Sequence, residues 1–132
     1  CIPCNTAHLL VDALDLNKKS FVSILDSVCR EVLRKRVKVI GLVASPNTID
    51  SRLYHDALEE LGIQVISPFE DEILKLSNII VNVISGDEKD ADTDTLEKIK
   101  QSLISRGAEV ILLGCTELPL VNSRTSLIPV ID

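Results

Sequence analysis

Short β-branched and aliphatic runs, separated by segments with helical spacing, constrain this chain more than any other feature. Val37 to Val43 is the clearest run, too apolar to be exposed on either face, and it reads as a strand buried on both sides. Ile63 to Ile66, Glu109 to Leu113 and Ile128 to Ile131 read as further strands. Phe21 to Leu25 reads as another, shorter strand, with Asp26 capping a following helix on which Cys29, Val32 and Leu33 share an apolar side. The turn Ser45-Pro46-Asn47-Thr48 leads into a helix from about Ile49 to Leu61, stopped by Gly62. Glu70 to Ser85 reads as a helix, Gly86-Asp87 opens an acidic loop, and Thr93 or Asp94 caps a helix ending at Arg106. Alternating strands and helices predict an α/β fold with a parallel, flavodoxin-like (doubly wound) sheet. In such sheets ligands gather outside the carboxyl ends of the strands, so function is expected at one edge.

The Ser45 to Thr48 loop and the second of two cysteine motifs fall at that edge, and the first motif would join them if a strand precedes it. Cys4-Asn5-Thr6-Ala7-His8 opens a segment in which Asn5 or Thr6 can cap a helix through Leu14. Gly114-Cys115-Thr116-Glu117-Leu118-Pro119 ends the strand from Glu109 to Leu113. Inverting a carbon centre beside a carboxylate requires a proton to leave one face and another to arrive on the opposite face, so one base is geometrically insufficient. A thiol with an ordinary pKa of about 8.5 serves as thiolate or thiol according to its surroundings, so paired cysteines can play both roles.

These two motifs, in this order, resemble the signatures of the aspartate/glutamate racemase superfamily, most closely its aspartate racemase branch. Gly41-Leu42-Val43-Ala44-Ser45-Pro46-Asn47-Thr48-Ile49 and Leu53-Tyr54 resemble the same family's middle strand, loop and helix, so the resemblance covers nearly the whole chain. It implies a cofactor-independent amino-acid racemase with Cys4 and Cys115 as opposed acid and base. Asn5, Thr6, Thr48, Thr116 and Glu117 are the expected substrate contacts. It also implies a small acidic amino-acid substrate, aspartate first and glutamate next, and a homodimer. The chain, residues 1–132, would then be a single lobe of a larger protein built from two similar lobes. Where aspartate-specific members place a cation before the Gly86 equivalent, this chain has Val83, Ile84 and Ser85. That departure keeps glutamate, another amino acid or a hydantoin-like compound as alternatives.

Rival chemistries share some of these residues. Cys1-Ile2-Pro3-Cys4 also reads as a dithiol redox motif, which would leave Cys115 idle. A metal site from Cys1, Cys4, His8 and Cys115 has suitable ligand types but no second Cys-x-x-Cys or His pair, and no metal or other cofactor is expected. An inactive isolated lobe, structural or interacting, is the non-enzymatic alternative. Cys29 reads as core, His55 as a surface histidine, and His8 as a structural residue one turn into its helix.

The formal net charge of -6 argues against a nucleic-acid partner, and the one basic run, Arg30 to Lys38, falls on a helix end. No apolar stretch approaches the roughly 20 residues of a membrane span, and no signal-peptide pattern is present. A requirement for reduced thiols predicts the cytoplasm.

Overall fold

A computed structural model of the chain describes residues 22–123 and 125–132. Cys1, Cys4, Asn5, Thr6 and His8, and the helix expected through Leu14, lie outside the described residues. The described residues form one parallel sheet flanked by helices. In chain order the elements are α1 (Ile24–Lys35), β1 (Val39–Ala44), α2 (Pro46–Asp50), α3 (Leu53–Glu59), β2 (Gln64–Ile66), α4 (Glu70–Ser85), α5 (Asp90–Ser105), β3 (Val110–Gly114), α6 (Leu118–Val121) and β4 (Val130–Ile131). The strands lie in the order β2-β1-β3-β4, all parallel.

Alternation along each strand sends side chains to two separate cores. Ile40, Leu42 and Ala44 of β1 and Val110 and Leu112 of β3 face a core built with Val28 and Val32 of α1 and Tyr54 and Leu58 of α3. Val43 of β1 and Ile111 and Leu113 of β3 face the other core, against Leu76, Ile79 and Ile80 of α4, Leu96, Ile99 and Leu103 of α5, and Leu118 of α6. Both faces of the central strands are therefore covered, which explains why their sequences are continuously apolar. The chain steps from β1 to β2 through α3 on one face, then returns past β1 to β3 through α4 and α5 on the other. The reversal opens between β1 and β3, and the carboxyl ends of those two strands are the binding edge of a doubly wound sheet.

Gly41 is required where α5 approaches the sheet. A Cβ built there would lie 2.8 Å from Ile111 Cδ1, 2.9 Å from Leu103 Cβ and 3.2 Å from Ala108 Cβ. The Leu103 contact is at the root of its side chain, so rotamer changes alone do not relieve it. Gly41→Ala is expected to destabilise the fold by about 1–3 kcal/mol through overpacking, read as a lower urea midpoint. An unchanged midpoint would show that α5 can shift without cost.

Several expected boundaries move. Phe21 to Leu25 is not a strand over its described part: Ser23 caps α1, its Oγ accepting the Asp26 N–H at 3.2 Å. Asp26 sits in the first helical turn instead of capping it, where its charge favours the positive helix end. An apolar run this short fits either period, and burial of Val28 and Val32 decides for the helix. Leu33 is exposed at 52%, so it does not share the buried side with Val32, whereas Cys29 packs partly buried against the core as expected. The helix expected from Ile49 to Leu61 starts earlier, with Ser45 as N-cap and Pro46 in the first turn, and is broken at Arg52, whose φ of 57° is left-handed. α5 begins at Asp90, not Thr93, because Asp92 reaches back to accept the Lys89 N–H at 3.0 Å. Asn82 of α4 donates to both oxygens of Asp92, at 3.2 and 3.1 Å, tying the two helices together and shortening the acidic loop. No helix among the described residues is long and apolar enough to cross a membrane.

Candidate active site

Ala44 pairs with Gly114 at the ends of β1 and β3, so the Ser45 to Thr48 turn and Cys115 leave the sheet side by side. Gly114 permits the close packing beneath this edge. A Cβ at that position would sit 3.1 Å from each of Ala44 Cβ, Leu42 Cδ1 and Tyr54 Cε2. Tyr54 is thereby wedged under the loop that carries the cysteine.

Cys115 begins a turn closed by the Leu118 N–H donating to the Cys115 carbonyl at 3.3 Å. The Cys115 thiol donates to Glu117 Oε2 at 2.9 Å, and Thr116 Oγ1 donates to the same oxygen at 3.1 Å. Three consecutive residues thus form one polar cluster. The thiol hydrogen bond is the main influence holding the Glu117 carboxyl below its ordinary pKa, with the Thr116 bond adding to it and desolvation opposing. Glu117 is ionised at neutral pH.

The cluster opens on a cleft of about 690 Å³ whose walls include Ser27 and Glu31 of α1, Tyr54 of α3, Pro119 of α6, and Asp132 after β4. Glu31 is engaged by Arg34, with bonds of 2.7 and 2.8 Å to its two oxygens, and that pairing holds its carboxyl below the usual range. Tyr54 is 1% exposed, and burial first, then the charges of Cys29 and Cys115, push its phenol pKa up. It stays neutral and offers a rigid aromatic wall.

Of the residues expected to form the site, Cys115, Thr116 and Glu117 come together directly. Thr48 lies in α2, buried at 1% exposure, with its Oγ1 3.0 Å from Ser45 Oγ and its N–H donating to that oxygen at 3.4 Å. It is at the same sheet edge but is not part of the cleft wall. Cys4, Asn5 and Thr6 lie outside the described residues. Tyr54 was not among the expected site residues. The available signal was that the chain's single tyrosine falls on a helix following a central strand.

His55, expected at the surface, is instead 7% exposed, because Arg52 restarts the helix in a phase that turns its imidazole inward. Its Nε2 lies 2.8 Å from Ser67 Oγ, while Nδ1 is buried and has no hydrogen-bond partner among the described residues. Desolvation, reinforced by Arg52, lowers its pKa below 6.5 despite the opposing charges of Glu59 and Asp56. The unfolded chain therefore binds more protons near this pH, and stability contributed by neutral His55 is present above pH 6.5 and lost as pH falls through the depressed value. The thermal midpoint is expected to drop between about pH 7.5 and pH 5.5, and His55→Gln should flatten part of that slope. An unaltered slope in the variant would refute the assignment.

Comparisons with known proteins agree with this geometry. The Asp/Glu/hydantoin racemase family matches residues 1–132, and the chain belongs to that family. An uncharacterised protein from the pnlA 3′ region of Pectobacterium carotovorum is 32% identical over 104 residues, 79% of this chain and 69% of its own length. A glutamate racemase from Roseiflexus is 28% identical over 127 residues, 91% of this chain but 44% of the relative. Among solved structures, an aspartate racemase from Picrophilus torridus superposes with a TM-score of 0.82 at 26% identity, covering 98% of this chain and 54% of that one. An aspartate racemase homologue from Pyrococcus horikoshii superposes with a TM-score of 0.78 at 30% identity, covering 97% of this chain and 57% of that one. The chain spans about half the length of these racemases.

Proposed function

We propose that this chain is one lobe of a cofactor-independent amino-acid racemase in which Cys4 and Cys115 are the opposed acid and base. The observation that carries the reading is the Cys115 thiol at the carboxyl end of a central strand, hydrogen-bonded to an ionised carboxylate and facing a cleft, in a chain of the racemase family. One cysteine, as thiolate, takes the α-proton from the substrate and becomes a thiol. The other, as thiol, gives its proton to the opposite face of the same carbon and becomes a thiolate. The enantiomer bound decides which does which.

The poor acidity of the α-carbon is the main obstacle, and fixed donors around the substrate carboxylate stabilise the enediolate that develops. Such a donor contributes about 3 to 4 kcal/mol in acyl-transfer sites. Asn5, Thr6 and Thr116 are the proposed contacts, with Thr48, buried against Ser45 and off the cleft wall, holding the neighbouring turn, and the ionised Glu117 suits the α-ammonium group. Aspartate is the first substrate expected and glutamate the next. The described cleft wall carries Glu31 and Asp132 as its charged groups, so a cation for the substrate's side-chain carboxylate would come from elsewhere in the full-length protein. We place that protein in the cytoplasm as a homodimer.

The full-length protein in D2O, supplied in turn with L- and D-aspartate and L- and D-glutamate, tests this reading. Loss of the α-proton signal by NMR with inversion by chiral chromatography is expected for one pair. No exchange with any of the four would sink it and direct the search to hydantoins, maleate and dithiol redox chemistry at Cys1 and Cys4. The dithiol alternative gives the contact between Cys115 and Glu117 no role.

A further inference from the structure

We propose that Glu117 keeps the catalytic proton on Cys115, so that the free protein rests with Cys115 as the acid and the opposing cysteine as the base. The inference rests on the two-thiol reading above and adds an asymmetry to it. Its basis is the single oxygen, Glu117 Oε2, that accepts from both the Cys115 thiol at 2.9 Å and the Thr116 hydroxyl at 3.1 Å. The Thr116 bond anchors the carboxylate in place beside the sulfur.

Two outcomes are open to a thiol against a carboxylate: the proton crosses to oxygen, or it stays on sulfur. Ordinary pKa values of about 8.5 and 4.3 differ by about four orders of magnitude in proton affinity, so the proton stays on sulfur. The carboxylate then acts in two ways in the same direction. It accepts a hydrogen bond that only the thiol can donate, and its negative charge opposes formation of a thiolate next to it. Among the described residues, the other groups lining the cleft beside Cys115 do not reverse this. Tyr54 from α3 is neutral, Glu31 from α1 and Asp132 after β4 are acidic, and Cys29 is not among the residues lining the cleft. No lysine or arginine is among the described residues lining the cleft.

Alkylation of the full-length protein with iodoacetamide, followed at the Cys115 peptide by mass spectrometry across pH, reads the protonation state without requiring turnover. Glu117→Gln keeps an acceptor oxygen and removes the charge. The pH midpoint of Cys115 alkylation is expected to fall by about one unit, making modification near pH 7 about tenfold faster. Glu117→Asp should retain more of the parent midpoint than the amide does. An unchanged or raised midpoint in Glu117→Gln, including a uniform rate change that reflects access alone, would overturn the inference. The two readings fail separately: a lowered midpoint without α-proton exchange leaves the contact's role intact and removes the racemase. Exchange with an unchanged midpoint does the reverse.

Discussion

Cys115→Ser is expected to abolish racemisation in the full-length protein, with a loss of at least about 10²- to 10⁴-fold, the usual contribution of a positioned acid or base. A serine hydroxyl is close to the cysteine in shape but far less acidic, so it cannot be the thiolate for one enantiomer and is a poor proton donor for the other. The fold should tolerate the change, because Cys115 is only partly buried and lies beyond the last residue of β3. Exchange without inversion in this variant would show that the opposing cysteine still removes a proton from one face. Near-normal racemisation would exclude Cys115 from the chemistry.

The second large effect is expected at a residue that does not line the cleft. Lys100 is fully buried, paired with Glu97 and donating to Asn122 Oδ1 at 2.6 Å, with Ser126 Oγ at 3.4 Å. Ser126 in turn donates to Glu97 Oε2 at 2.8 Å. This network ties α5 to the segment between α6 and β4, the continuation of the loop that begins at Cys115. Lys100→Met leaves Glu97 without its counter-charge and Asn122 without its donor. Breaking a buried pair costs about 3–5 kcal/mol, and the partial exposure of Glu97 places the expected loss near about 3 kcal/mol. Urea denaturation measures it, and the double variant with Glu97→Gln should recover part of the loss. A cost below about 0.5 kcal/mol would show that water replaces the network.

The strands and the long helices were legible because their patterns admit one reading. β1 and β3 are continuously apolar, as only strands covered on both faces can be, and α4 was expected over the same residues it occupies, Glu70–Ser85. Phe21 to Leu25 misled because five residues fit either period, and Ser23 capping with burial of Val28 and Val32 was a tertiary outcome. His55 and Lys100 were similarly hidden. Lys100 continues the stripe of Leu96, Ile99 and Leu103, so a charged residue occupies a core-facing position that only its partners on a distant loop make tolerable.

What the sequence determined by itself is therefore the layered α/β architecture and the edge at which Cys115 emerges, since both follow from local periodicity and strand endings. The tertiary structure alone decided that Glu117 turns back to the sulfur, that Tyr54 is wedged beneath Gly114, and that Thr48 is buried against Ser45. Side-chain direction at a strand end depends on packing from helices remote in sequence, and no spacing of residues encodes it.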